Sequence, residues 1–155
     1  MTIYLAGPME DTTLTEMKDW RERVKTRTEF SGIKILDPTR RVGYHDALEF
    51  DSLQFGSIAL ENPRDMFQSS LNISRRIFKQ DMQDIANSKV ILANVKRNAG
   101  KGIGTNMELM FAHTKNKIII LWAGSDDTTH PFYESIYTEK HYSLENSVDA
   151  ALEYL

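Results

Sequence analysis

The chain predicts a doubly wound α/β fold, flavodoxin- or Rossmann-like, with a mostly parallel sheet of four to five strands and helices on both faces. Two observations carry this expectation. Short apolar runs recur at Ile3–Ala6, Ile33–Leu36, Val90–Ala93 and Ile118–Trp122, and at least the last two are continuous rather than alternating, as strands buried on both faces are. Between the runs the spacing turns helical: Leu14, Met17, Trp20 and Val24 form one stripe, Leu71, Ile77, Phe78, Met82 and Ile85 a second, and Val148, Ala151, Leu152 and Leu155 a third.

In order, the elements read β-α-β, a long excursion, then α-β-α-β and a final helix. Ile136 to Tyr142 suggests a fifth, more exposed strand, and Ser143 is suited to cap the helix that follows. Residues 38–70 show no steady period. That is long for a connection in a compact domain and reads as a lid or substrate loop with room for a helical piece, although a tolerated surface insertion explains the segment taken alone equally well. With 155 residues, 41% of them apolar, one domain over 1–155 is expected. Nothing resembles a repeat, a linker or a low-complexity tract.

Composition narrows the partners. The formal charge is −3 and the basic pairs Arg40-Arg41 and Arg75-Arg76 are short and isolated, which disfavours a grip on duplex nucleic acid. A small phosphorylated ligand needs only one or two cations and some backbone amides. No run approaches the roughly 18 apolar residues of a membrane span, and no basic region followed by an apolar stretch opens the chain. A soluble, cytoplasmic protein without a membrane partner is expected. There is no cysteine, so disulfides, thiolate metal sites and cysteine nucleophiles are excluded together. His45, His113, His130 and His141 have no metal-site spacing, no Gly-x-Ser-x-Gly occurs, and no metal is expected.

Ligands of such sheets bind beyond the carboxyl ends of the strands, at the point where strand order reverses. The residues there are Gly7-Pro8-Met9, Asp37-Pro38, Asn94 to Gly104, and Ala123-Gly124. Asp81 is conspicuous because, at about 100° per residue, it falls inside the apolar stripe between Ile77 and Ile85, with Asp84 at its margin. A buried acid must be paired, hydrogen-bonded or protonated; Asp81 either pins a neighbouring loop or serves as an acid in a pocket. The segment Gly100-Lys101-Gly102-Ile103-Gly104-Thr105-Asn106-Met107-Glu108 opens a helix, where glycines and free amides can approach a ribose or a phosphate. Thr105 and Glu108 also have capping-box spacing, and spacing alone favours that structural explanation. Lys101 followed by Gly102 rules out a P-loop, and Gly7 followed by proline rules out a dinucleotide fingerprint.

Taken together, Ile3-Tyr4-Leu5-Ala6-Gly7-Pro8-Met9, the run from Asp81 to Asn94 (DMQDIANSKVILAN), and Gly104-Thr105-Asn106-Met107-Glu108-Leu109 before Ile118-Ile119-Ile120 resemble the nucleoside 2-deoxyribosyltransferase family in content, order and spacing. The resemblance implies Glu108 as nucleophile at the anomeric carbon, Asp81 as assisting acid and Tyr4 as the residue orienting the nucleophile. It also implies Gly7, Pro8, Met9, Asp37, Asn94, Gly102, Gly104 and Thr105 around the substrate, with no cofactor. The activity implied is transfer of 2-deoxyribose between bases, with 5′-monophosphate N-hydrolysis as the alternative and a non-catalytic nucleotide-binding module as a third reading. The partners are then a nucleoside or nucleotide and a free base or water. Many members carry another aspartate shortly before the glycine, in contact with the base, whereas residues 98–103 hold no acid. Asn94 or Asn98 can substitute an amide, and Lys101 is a candidate phosphate contact. Members complete their sites from a neighbouring subunit, so a homo-oligomer with shared sites is expected.

Overall fold

The computed structural model describes residues 1–8, 14–41, 63–96, 102–124 and 131–155, and within these not the side chains of residues 14, 40, 41 and 63–74. Strands β1 (Thr2–Ala6), β2 (Lys34–Leu36), β3 (Val90–Asn94), β4 (Ile118–Trp122) and β5 (Glu139–His141) form one sheet in the order β2-β1-β3-β4-β5. Every pairing is parallel. Helices α1 (Leu14–Thr28), α2 (Pro63–Asn87), α3 (Ile103–Thr114) and α4 (Leu144–Glu153) complete the α/β architecture. Strand order reverses between β1 and β3.

Side-chain alternation splits the core into two layers. Tyr4, Ala6, Ile91, Ala93, Ile119 and Leu121 point to one face and pack with Ile85 of α2 and Leu109 and Ala112 of α3. Ile3, Leu5, Val90, Leu92, Ile120 and Trp122 point to the other and pack with Trp20 and Val24 of α1 and Val148 and Ala151 of α4. Both faces being covered explains the uninterrupted apolar runs. Each fully buried aliphatic side chain contributes on the order of 1.5–3 kcal/mol.

Local chemistry sets the boundaries. Ser143 is extended and its hydroxyl accepts the Asn146 amide at 3.2 Å, the expected N-cap of α4. Pro63, which lacks an amide hydrogen and has a fixed φ, suits the first turn of α2. Asn116, with φ 52°, ends α3 in the left-handed region that asparagine tolerates. Gly32, with φ 68°, turns the chain from α1 towards β2.

One expectation is sharpened and two need correction. The aperiodic stretch 38–70 contains a short 3₁₀ turn at Pro38–Arg41 and the start of α2 at Pro63; residues 42–62, including His45, lie outside the described residues. The fifth strand is only Glu139–His141, because a 3₁₀ turn at Tyr133–Ser135 precedes it. Phe78 is 47% exposed rather than part of a continuous buried stripe. A helix of this length runs about 37 Å against about 17 Å for a five-residue strand, so much of α2 extends past the sheet it covers.

Gly7, just after β1, is fixed by packing. A Cβ there would lie 2.8 Å from Cζ2 of the buried Trp20 and 3.3 Å from Cβ of Asn94. Gly7→Ala is therefore expected to destabilise the fold by about 1–3 kcal/mol through overpacking, read as a lower denaturant midpoint with an unchanged slope; an unaltered midpoint would contradict this close approach.

Candidate active site

Tyr4 occupies an even position of β1, so its ring enters the layer under α2 and α3, where it is fully buried. Its hydroxyl donates a hydrogen bond of 2.7 Å to Oε1 of Glu108, 104 residues further along the chain. Glu108 is 7% exposed and Asp81 of α2 is also 7% exposed. Asp81 is close enough to act electrostatically on both members of the pair. Tyr4, Asp81 and Glu108 thus converge from a strand and two helices on one side of the sheet.

The capping-box explanation of Glu108 does not hold. Helix α3 starts at Ile103 with Gly102 as its N-cap and no side-chain cap, so Thr105 already lies within the first turn. Glu108 turns into the core towards Tyr4. A Cβ on Gly102 would sit 3.3 Å from Oγ1 of the buried Thr105, whereas one on Gly104 would meet nothing within 4 Å.

Burial is the main force on Glu108, pushing its pKa up to about 8; the hydrogen bond from Tyr4 opposes it, the charge of Asp81 adds to it, and Arg21 opposes it. The Tyr4 phenol is driven far above its ordinary range, first by burial and then by the charges of Glu108 and Asp81. Tyr4 is therefore a fixed donor, one that favours the Glu108 carboxylate once that group ionises.

Arg21 emerges only from the structure. It is fully buried on α1, with Nη2 donating to the Gly7 carbonyl at 3.1 Å and Nη1 to the Met17 carbonyl. Its Nε lies 3.4 Å from Oδ1 of Asp37, and the guanidinium stands 4.6 Å from the Trp20 ring centroid. Asp37 is 1% exposed. Its Oδ1 accepts the Thr39 amide at 2.9 Å and the Thr39 hydroxyl at 2.7 Å, while Lys25 Nζ is 2.8 Å from Oδ2. Burial raises the Asp37 pKa, but the bonds from Lys25 and Thr39 and the charge of Arg21 outweigh it and hold the group below its usual range. A signal was available: Arg21 lies four residues after Met17 and three before Val24, within the buried stripe of α1.

Asn94 is half-buried at the end of β3, beside Gly7, and its Oδ1 accepts the Lys96 amide at 3.1 Å. Pro8 follows Gly7 at the same edge and is half-buried. Asp84 is buried. Met9, Asn98, Lys101 and His130 lie outside the described residues. Among the described residues no group of three His, Asp or Glu side chains could hold a metal ion, and no helix is long and apolar enough to cross a membrane.

The raised pKa of Glu108 has a stability consequence. Unfolded, the group titrates near its ordinary value of 4.5, and folded near about 8. Between those values the native state holds the extra proton, so this group's contribution is favourable at low pH and is lost as pH rises to about 8. Glu108→Gln, which keeps the shape and drops the charge, should raise Tm more at pH 8 than at pH 5. An equal change at both values would contradict the burial of an ionising group.

The family model described as nucleoside 2-deoxyribosyltransferase matches residues 3–147. No curated protein sequence matches the chain. Among solved structures, a 2-deoxyribosyltransferase from the psychrotolerant bacterium Bacillus psychrosaccharolyticus is similar with a TM-score of 0.62 at 14% identity, over 96% of this chain and 91% of that one. A CMP N-glycosidase from Clostridium botulinum is similar with a TM-score of 0.56 at 12% identity, over the full length of both chains. A 2-deoxyribosyltransferase from Leishmania mexicana is similar with a TM-score of 0.50 at 18% identity, over 80% of this chain and 65% of that one. At such identities the structural likeness speaks for the fold alone, and membership rests on the family model, which spans nearly the whole sequence. The chain belongs to the nucleoside 2-deoxyribosyltransferase family.

Proposed function

We propose that this protein cleaves or exchanges the N-glycosidic bond of a 2-deoxyribonucleoside through a covalent glycosyl ester on Glu108. The observation that carries the proposal is the 2.7 Å hydrogen bond from Tyr4 to a buried Glu108 with Asp81 beside it. A buried carboxylate held by one phenol is costly to keep and is suited to attack on a carbon that becomes cationic.

In the reactive state the one proton of the carboxyl pair sits on Asp81; in the first step Glu108 Oε attacks C1′ as the bond from C1′ to the base nitrogen breaks, and Asp81 gives the departing base that proton. In the second, an incoming base returns a proton to Asp81 and attacks C1′, expelling Glu108. Two displacements retain the anomeric configuration. The sugar and base would lie over the strand ends at Gly7, Pro8, Met9 and Asn94 and against Gly102, Gly104 and Thr105. Asp37 would act from behind this wall through Arg21, to which it is joined. Water as acceptor gives an N-hydrolase instead. The lack of an acid in residues 98–103 favours keeping this reading, with Lys101 as the phosphate contact on a 5′-monophosphate.

The expectation of a homo-oligomer has a surface to act through. Ile103, Met107 and Met110 are 67, 49 and 51% exposed along α3, on the helix that carries Glu108. Scattered exposed apolar side chains are ordinary, but three at helical spacing form a stripe.

Deoxynucleosides and their 5′-monophosphates incubated with and without a second free base, with Glu108→Ala as control, test the reaction by chromatography. Exchange that depends on added base is expected; release from monophosphates alone would move the assignment to N-hydrolase, and no turnover in any arm would defeat both. Because attack needs Glu108 ionised while Asp81 keeps the proton of the pair, kcat/KM should fall along a limb above about 8, where that shared proton is lost. Tyr4→Phe removes a bond to the carboxylate, so it should lower kcat/KM at pH 7 by roughly ten- to a hundredfold and move that limb to higher pH. Sedimentation should show an oligomer for the parent and dissociation for Met107→Lys combined with Met110→Lys; a parent that is monomeric throughout would remove the shared-site expectation.

A further inference from the structure

Two strand-end loops are tied together by a charge that comes from the helix layer opposite the reacting pair. Arg21 of α1 reaches the Gly7 carbonyl after β1 and the Asp37 carboxylate after β2, and Asp37 in turn holds the backbone amide and hydroxyl of Thr39. Arg21 is fully exposed to none of the solvent that would screen it, with 0% side-chain accessibility against 2% for Asp37. An arginine buried only for stability is a poor choice, since apolar residues of similar volume often serve as well or better. Gly7 is pressed between Trp20 and Asn94 with Arg21 Nη2 3.5 Å from where its Cβ would be, so the position of this loop depends on the guanidinium.

We propose that Arg21 is a positioning residue, a buried cation that locks the loops after β1 and β2 into one wall of the substrate site and supplies that site with a fixed positive charge. The tie between the loops is geometric; the role of the charge deepens the reading of Glu108 as the reacting group and rests on it. Among the described residues, the charged and titratable groups that act on Glu108 are Tyr4 from β1, Asp81 from α2 and Arg21 from α1. Of these, Tyr4 and Arg21 favour the carboxylate and Asp81 opposes it. Arg21 is the cation of the set. Lys25 reaches Asp37 from the partly exposed side and is not among the groups acting on Glu108.

The test reads the Glu108 carboxyl directly by ¹³C NMR in the protein alone, its resonance identified by its loss in Glu108→Gln. Arg21→Met should move the titration midpoint to higher pH. Arg21→Lys, which keeps a charge but loses the forked contact, should return it towards the parent. Should Arg21→Met alone fail to fold, Arg21→Met combined with Asp37→Asn removes both members of the pair, a change that buried pairs tolerate better than loss of one partner, and it should show the same upward movement. In parallel, KM for the best nucleoside should rise in the Arg21 variants while kcat at its optimum pH changes little. An unmoved midpoint in a folded variant lacking the Arg21 charge, or Arg21→Lys behaving like Arg21→Met, would overturn the inference. A midpoint that moves in a protein without turnover on any nucleoside would instead overturn the proposed reaction and leave the role of the Arg21 charge standing.

Discussion

The arrangement depends on one electrostatic constraint, the ionisation of Glu108 out of water and beside a second carboxylate. Burial and Asp81 both push against the charge, while the phenol of Tyr4 and the guanidinium of Arg21 work for it. Neither helper is local in sequence. Tyr4 comes from the middle of β1, and the 2.7 Å contact requires that its side chain enter the α2/α3 layer. In a strand, facing alternates with every residue, so a slip of one position would place Tyr4 on the far side of the sheet. The parallel register of β1 against β3, with Tyr4 beside Ile91, is thus a condition for the Tyr4–Glu108 contact as well as for the core.

Much of this was legible in the amino-acid order. Parallel strands covered on both sides need continuous apolar runs, and the four strongest runs became β1, β2, β3 and β4 within a residue or so at their ends. Asp81 announced itself as an acid at a buried position of α2. The convergence of Tyr4, Asp81 and Glu108 was suggested by a resemblance in motif order; their spacing in the chain does not specify it. Spacing in fact favoured a different use of Glu108. Thr105 and Glu108 match a capping box, but the helix begins at Ile103, and that earlier start turns Glu108 inward.

Arg21 was missed because a basic residue in an amphipathic helix ordinarily reads as solvated. What gives it meaning is its pairing with Asp37, which lies in a loop beyond the next strand, and with a backbone carbonyl that no side-chain pattern reveals. Phe78 shows the opposite limit: helical periodicity marks a face but not how far the neighbouring sheet extends beneath it. The start of α2 could not be placed within the long stretch after β2, because residues 38–70 carry no steady apolar period.

The two helix layers have different duties. On the α1/α4 side, Arg27 pairs with Asp149 at 2.6 Å and Arg23 with Glu145, exposed contacts that contribute little where solvent screens them. On the other side lie the buried Asp81 and Glu108, the groups to which the proposed reaction is assigned. The edge strands add a further consequence. Both are three residues long, and their outward sequence is rich in charge, with Lys34 exposed on β2 and Glu139, Lys140 and His141 making up the whole of β5. Short, charged edges resist being lengthened by a strand from another molecule. Copies of this protein should therefore meet helix to helix rather than by joining their sheets, so that any assembly stays a closed cluster of separate sheets and does not grow as a ribbon.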